Sequence, residues 1–284
     1  MYPAKFEYAA PASLEEAIGL LKDPEAKILA GGHSLLPLMK LRLAAPALLV
    51  DLSRVPNLAY IRDGGDHVAI GAMTTYDELE SSDLLRQRVP LLSQTAGTVG
   101  DMQVRNRGTL GGSIAHADPA GDMPSVTSAL GAQIVVQGPD GKRTIAASEF
   151  FKDIWTTALQ GDEIIAEIQV PYGSGQVAQA YEKFRLRASD WAVVGVAVNL
   201  QRDNGSIRSG SVFLTNVGST PVRAQGVEQA LQGQEASRQT IESAAQHASD
   251  GLNPTPELRA SADYKSHLAQ VMTKRALAAA LGMQ

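Results

Sequence analysis

The sequence predicts an α+β protein in two parts: an N-terminal part of two lobes, then a three-stranded antiparallel sheet with a helical bundle. Three observations predict it. The chain has 284 residues, 44% of them hydrophobic, whereas domains cluster near about 100–150 residues. Within residues 14–52 short apolar runs alternate with helical periodicity, the pattern of parallel strands joined by crossovers. After a run rich in glycine and proline (171–175) the order changes to three strand-like runs followed only by helical ones. That run sets the boundary: residues 1–175, with lobes of about 1–56 and 57–175, then residues 176–284.

The elements follow in order. Ser13 and Glu16 form a capping box, and Leu14, Ala17, Ile18 and Leu21 recur at helical spacing until Asp23-Pro24 stops them. Residues 27–30 read as a short buried strand, Ser34 as the cap of a further helix with Pro37 in its first turn, and 47–52 as a second buried strand. Residues 57–61 and 67–72 form a hairpin about Asp63-Gly64-Gly65. Thr75 and Glu78 open another helix, and residues 84–98 are helical in two pieces broken near Pro90. A second hairpin joins 132–137 to 142–146, and a strand over 164–170 ends at Pro171. Beyond the boundary, 181–187, 192–201 and 207–217 are strands, the last two joined by a tight turn at Asp203-Asn204-Gly205. Thr220-Pro221 reads as a cap with proline at the first helical position, and Ser237 and Ser261 cap two more helices. Residues 249–257, with two prolines, form an exposed linker.

Composition removes several function classes. A net charge of −5 without a Lys/Arg cluster argues against nucleic acid. The absence of cysteine excludes disulfides, thiolate catalysis and cysteine-ligated iron–sulfur clusters in this chain. The histidines, 33, 67, 116, 247 and 267, are dispersed, with no metal-ligand spacing. Redox work would therefore need an organic cofactor. The start, Met-Tyr-Pro-Ala-Lys-Phe, has no apolar run, and no segment has the length of a membrane span, which predicts a cytoplasmic chain without a signal peptide.

The chemistry concentrates in two stretches. One is Arg-Asn-Arg-Gly-Thr-Leu-Gly-Gly-Ser-Ile-Ala-His-Ala-Asp-Pro-Ala-Gly-Asp-Met-Pro, from Arg105 to Pro124. The other is Ile-Leu-Ala-Gly-Gly-His-Ser-Leu, from Ile28 to Leu35. Each turns on a glycine pair, where backbone can approach a ligand and successive N–H groups can cradle phosphate oxygens. A glycine pair alone is most often only a turn; two at the ends of apolar segments suggest two loops closing on one diphosphate. Gly32-His33-Ser34 begins like a nucleophile elbow, but Leu36 stands where its last glycine is needed, which leaves a hydrolase as a distant alternative. Gly138-Pro139-Asp140-Gly141-Lys142 lacks the spacing of a Walker loop, and no G-x-G-x-x-G fingerprint occurs.

The paired motifs, Ala-Gly-Gly-His-Ser-Leu-Leu-Pro and Arg-Gly-Thr-Leu-Gly-Gly-Ser-Ile-Ala-His-Ala-Asp-Pro, resemble those of the FAD-binding medium subunits of the molybdenum hydroxylases. The likeness spans essentially the whole chain; it is stronger to the aerobic carbon monoxide dehydrogenase type and weaker to the xanthine dehydrogenase type. It implies a two-lobed flavin domain of the PCMH type, FAD held without a covalent bond, and electron transfer from iron–sulfur clusters of a partner to an external acceptor. It implies two partners, a small [2Fe-2S] subunit and a large molybdenum-cofactor subunit, in a dimer of heterotrimers. A self-sufficient PCMH-type flavin oxidase is the alternative.

The resemblance also implies the cofactor contacts. Ile28, Leu29, Ala30, Gly31, Gly32, His33, Ser34 and Leu35 match the first FAD loop. Thr109, Leu110, Gly111, Gly112 and Ser113 match the second. Asp122 and Lys183 fall on polar positions near the flavin, Val99 and Ile165 on apolar lining positions. Trp191 has two readings, a core tryptophan or a ring shielding one flavin face. His116 reads as a loop histidine without chemistry, Arg105 and Arg107 as scaffold or interface, and the alternating Arg185 and Arg187 as the solvated or partner-facing side of a strand.

Overall fold

The structure is a computed structural model that describes residues 1–173 and 175–283. Ser174, inside the predicted boundary run, lies outside the described residues, as does Gln284.

The first unit is a small parallel sheet. It runs β1 (Glu7–Ala9), α1 (Leu14–Leu20), β2 (Ala26–Leu29), α2 (Leu35–Lys40) and β3 (Leu48–Asp51), with strand order β1-β3-β2, all parallel. Ser13 caps α1 by accepting from the Glu16 N–H. Ala17, Ile18, Val50, Leu52 and Leu58 close the core beneath it. The sequence predicts β2 and β3 and their parallel pairing but not β1, which is three largely exposed residues. Two expectations fail. Ser34 makes no capping hydrogen bond to α2. Only Ala26 of β2 is buried, because this strand is an edge.

The second unit holds β4 (Ile61–Asp63), β5 (His67–Gly71), α3 (Tyr76–Ser81), α4 (Asp83–Arg88), α5 (Pro90–Gly97), α6 (Met102–Arg105), α7 (Leu110–His116), α8 (Asp122–Ala129), β6 (Gln133–Gly138), β7 (Gly141–Ala146), α9 (Ala147–Phe150), β8 (Phe151–Asp153), β9 (Thr156–Thr157) and β10 (Ile164–Pro171). Its sheet is ordered β4-β5-β10-β6-β7 and antiparallel throughout. Helices α5, α7 and α8 bury Leu91, Leu92, Leu110, Ile114 and Met123 against it. The Thr75–Glu78 capping box forms as the sequence predicts, and the expected break near Pro90 falls at Val89, between α4 and α5, with Pro90 opening α5.

The third unit is a four-stranded antiparallel sheet: β11 (Gln176–Phe184), β12 (Val194–Asp203), β13 (Ser206–Thr215) and β14 (Val222–Arg223). Its helices are α10 (Gln225–Leu231), α11 (Arg238–Gln246) and α12 (Ala262–Leu281). The predicted three strands gain a two-residue fourth. Thr220-Pro221 starts no helix: it precedes β14, and α10 begins at Gln225. Proline's fixed φ suits extended backbone as well as a first helical turn. Strand β11 starts five residues earlier than expected and ends at Phe184, so Arg185 and Arg187 lie in the β11–β12 connection and face no sheet. Arg185 donates to the Thr98 carbonyl at 3.0 Å, a bond between units.

Helix α12 packs on β11 and β12 through Leu268, Ala269, Met272, Ala276 and Leu277, and Ser261 caps it by accepting from the Tyr264 N–H. Ser261→Ala should lower the unfolding free energy by about 1 kcal/mol in chemical denaturation without changing the denaturant slope.

Candidate functional site

Strand β2 delivers the chain into the first glycine pair. Gly32 turns it with φ +76°. Gly31 is required by proximity: a Cβ there would lie 2.9 Å from the Gly108 Cα and closer still to the Arg107 carbonyl oxygen. The first loop thus rests directly on the second. Gly112 confirms the contact, since a Cβ on it would lie 3.5 Å from that of Ala30.

The second stretch is built differently from the open turn that its sequence suggests. Gly111 and Gly112 sit in the first turn of α7, capped by Thr109, whose hydroxyl accepts from the Gly112 N–H at 3.1 Å. The Leu110 and Gly111 N–H groups donate to the Thr74 and Ala72 carbonyls, at 3.0 and 2.8 Å. The Ser113 N–H donates to the Thr109 carbonyl. These donors are therefore engaged within the protein. Gly111 has no room for a side chain either, with Ala72 against its back. The open donors are in the first loop. Among the described residues, the backbone N–H groups of Gly31, Gly32, His33, Ser34 and Leu35 meet no protein acceptor. Successive unpaired N–H groups about a left-handed glycine form a concavity suited to an anion. That fits a diphosphate. His33 and Ser34 are exposed, and Ile28, Leu29, Ala30 and Leu35 half-buried.

The polar positions lie deeper. Asp122, at the start of α8, is 6% exposed. It accepts from the Tyr181 hydroxyl at 2.6 Å and from the Lys183 ammonium at 2.8 Å, both on β11. Burial, then the Asp122 charge, pushes the Tyr181 phenol well above its ordinary pKa and keeps it a donor. Gly195 makes space for that phenol, since a side chain there would collide with it. The sequence thus offers Asp122 and Lys183 as two separate cofactor contacts, and the structure joins them to each other. Tyr181 was missed because its partner is 59 residues away.

The apolar positions divide. Val99, just after α5, is half-buried against the core of the second unit. Ile165 is 4% exposed inside that core, beside a bulge in β10. Trp191 is not a core residue: it is 55% exposed in the β11–β12 connection, with the Arg259 guanidinium 4.9 Å from its ring centroid. Arg105 is scaffold, pairing with Glu80 at 2.9 Å. His116 closes α7 and stacks on Trp155. Two surface cavities, of about 300 and 380 Å³, are lined by no residue of either glycine loop. No group of His, Asp and Glu that could hold a metal ion, and no helix long and apolar enough to cross a membrane, occurs among the described residues.

Residues 4–173 match the family described as FAD binding domain in molybdopterin dehydrogenase. Residues 179–280 match CO dehydrogenase flavoprotein C-terminal domain. The carbon monoxide dehydrogenase medium chain of Hydrogenophaga pseudoflava is 43% identical, over 99% of this chain and 98% of that one. The chain belongs to the FAD-binding medium subunits of the molybdenum hydroxylases. Subunit alpha of the 6-hydroxypseudooxynicotine dehydrogenase complex of Paenarthrobacter nicotinovorans is 39% identical, over 99% of this chain and 96% of its own. The solved structure of the Hydrogenophaga pseudoflava carbon monoxide dehydrogenase lacking the Mo-pyranopterin moiety superposes with a TM-score of 0.96, at 44% identity, covering 100% of this chain and 99% of that one. As a molybdenum hydroxylase medium subunit, the protein is an FAD-dependent oxidoreductase subunit.

Gly31→Ala should separate the two loops. The added methyl meets backbone at Arg107 and Gly108, which cannot rotate away. Retained FAD, measured by absorbance after gel filtration, should fall at least about tenfold if the displacement costs more than about 1.4 kcal/mol. Near-parental occupancy would show that the contact does not shape the site.

Proposed function

We propose that this chain is the FAD-carrying electron-transfer subunit of a molybdenum hydroxylase complex, passing electrons from iron–sulfur clusters of a partner to an external acceptor. The observation that carries it is the row of open N–H groups at residues 31–35, held against the second glycine stretch by Gly31. When bound, FAD supplies both one- and two-electron redox chemistry, which suits it to connect one-electron clusters with a two-electron acceptor.

The residues of the chain bind and orient. The N–H groups of Gly31, Gly32, His33, Ser34 and Leu35 hold the diphosphate. Thr109, Leu110, Gly111, Gly112 and Ser113 form the wall that fixes that loop. Ile28, Leu29, Ala30, Val99 and Ile165 shape the apolar surroundings. Asp122 and Lys183 set the polarity on one side of the ring system, and Trp191 shields a face of it. Residues 1–175 form the FAD-binding domain, in lobes of about 1–56 and 57–175, and residues 176–284 the C-terminal domain.

The chain has no cysteine and so no thiolate for an iron–sulfur cluster. The clusters belong to a small [2Fe-2S] partner and the molybdenum cofactor to a large one, in a cytoplasmic dimer of heterotrimers. Substrate choice then rests with the large partner, in keeping with relatives of this chain that serve complexes named for different substrates.

Two outcomes test the reading. Denaturing the yellow protein should release all of its FAD; flavin left on the polypeptide would indicate a bond to His33. Under anaerobic conditions, the FAD-loaded chain alone should stay oxidised with carbon monoxide, purines, aldehydes and N-heterocycles, yet bleach with dithionite. It should become substrate-reducible when both partner subunits are added. Rapid reduction of the isolated chain by one of these compounds would instead identify a self-sufficient oxidase.

A further inference from the structure

A large aromatic ring more than half exposed normally samples several rotamers. Trp191 does not stand free. The Arg259 guanidinium lies 4.9 Å from its ring centroid, in the geometry of a cation–π contact. That guanidinium is itself fixed, by a 2.8 Å ion pair from its Nη1 to Asp190 Oδ2. The Asp190 side chain is 12% exposed, so the pair is not an ordinary surface salt bridge held loosely in water. Asp190 and Trp191 are neighbours in sequence. Arg259 thus grips the turn at one residue and the ring at the next.

The segment that carries Arg259 is anchored from beneath. The Glu257 N–H donates to the Ala260 carbonyl at 2.9 Å, closing a tight loop around Leu258 and Arg259. The Glu257 carboxylate accepts from the Asn216 amide at 2.7 Å and pairs with the ammonium of Lys265, whose side chain is 2% exposed. Lys265 also donates to the Asn216 carbonyl at 3.0 Å.

Asn216 reaches the other side of the same turn. Its amide nitrogen lies 2.9 Å from the Ala192 carbonyl and 3.2 Å from that of Val193. Its own N–H donates to the Pro119 carbonyl at 2.9 Å, in the segment joining α7 to α8. Asn216 has φ +64°, a conformation that asparagine tolerates better than most residues. One connected set of bonds therefore runs from the second glycine stretch to the backbone just after Trp191, and to the loop that carries Arg259. It fixes the turn from both sides and leaves the ring itself to Arg259.

We propose that Arg259 is a positioning residue that holds the Trp191 ring for stacking on the flavin, with Asn216, Glu257 and Lys265 setting the height of the turn. The proposal rests on the reading that Trp191 shields the isoalloxazine. One ring face is taken by the cation and the residue remains 55% exposed, which suits a planar, electron-poor group against the other face.

The test uses the full chain loaded with FAD and reads flavin fluorescence yield and lifetime per bound FAD. Trp191→Ala should brighten the flavin. Arg259→Met should lower the population of the stacked ring by a factor of roughly two to five, as loss of an exposed-to-half-buried cation–π contact implies, with FAD content unchanged. Arg259→Lys, which keeps a cation, should restore part of the quenching. On the Trp191→Ala background Arg259→Met should add nothing. Brightening by Trp191→Ala with none from Arg259→Met would overturn the role of Arg259 and leave the shielding reading intact. Equal brightening by Arg259→Met with and without Trp191 would overturn it as well. No change in Trp191→Ala would refute the shielding reading, and the proposal with it. Should Arg259→Met not fold, Asp190→Asn, which releases the guanidinium without deleting it, carries the same comparison.

Discussion

The backbone contact between Gly31 and Arg107-Gly108 is the constraint on which the arrangement depends. It places the end of an edge strand in the small parallel sheet against a helix approach in the second unit, at a separation that admits no side chain. The α7 side is rigid, because residues 108–112 are bonded to the chain after β5 through Leu110, Gly111 and Tyr76. The first loop inherits its position from that surface. Its own N–H groups are thereby left without protein partners, an arrangement a folded chain tolerates only beside water or a ligand. Rigidity on one side and unsatisfied donors on the other are what the proposed diphosphate site draws on.

The third unit is fixed by a different kind of bond. Asp122 is buried with its charge, and it is compensated by one ammonium and one phenol from β11. Such a pair adds little net stability over an apolar replacement, yet losing one member strands the other in a poor solvent. Its value is in register: Lys183 and Tyr181 reach the same carboxylate only when β11 lies at one height against α8. Arg185, bonded to the Thr98 carbonyl, makes a further link from the same strand end to the second unit.

Much of the fold was legible because it is local. The Ser13 cap, the Thr75–Glu78 capping box, the hairpins at Gly64-Gly65 and Pro139-Asp140, and the Ser237 and Ser261 caps are written within a few residues of their partners. Elements that exist only through pairing were not: β1 and β14 have too few residues to show alternation. At the site, the sequence offered both glycine stretches as open loops, whereas only the first keeps its donors free of protein partners. The motif of residues 108–113 has loop composition, and only the Thr109 cap and the Thr74 and Ala72 carbonyls turn it into a helix start. Asp122 with Lys183, and Asn216 with Glu257, join residues 61 and 41 positions apart, a distance at which single-sequence reasoning has no signal.

The order of the middle sheet, β4-β5-β10-β6-β7, has a consequence for how the protein meets its neighbours. One border strand, β4, is three residues long and carries Arg62 and Asp63. The other, β7, exposes Lys142 and Arg143, with Arg143 clamped by Glu163. Short and charged borders are poor templates for another chain's backbone, so stray strand addition, the usual route to aggregation, is discouraged here. On its own in solution, this sheet can therefore remain unpaired at its borders without recruiting further copies.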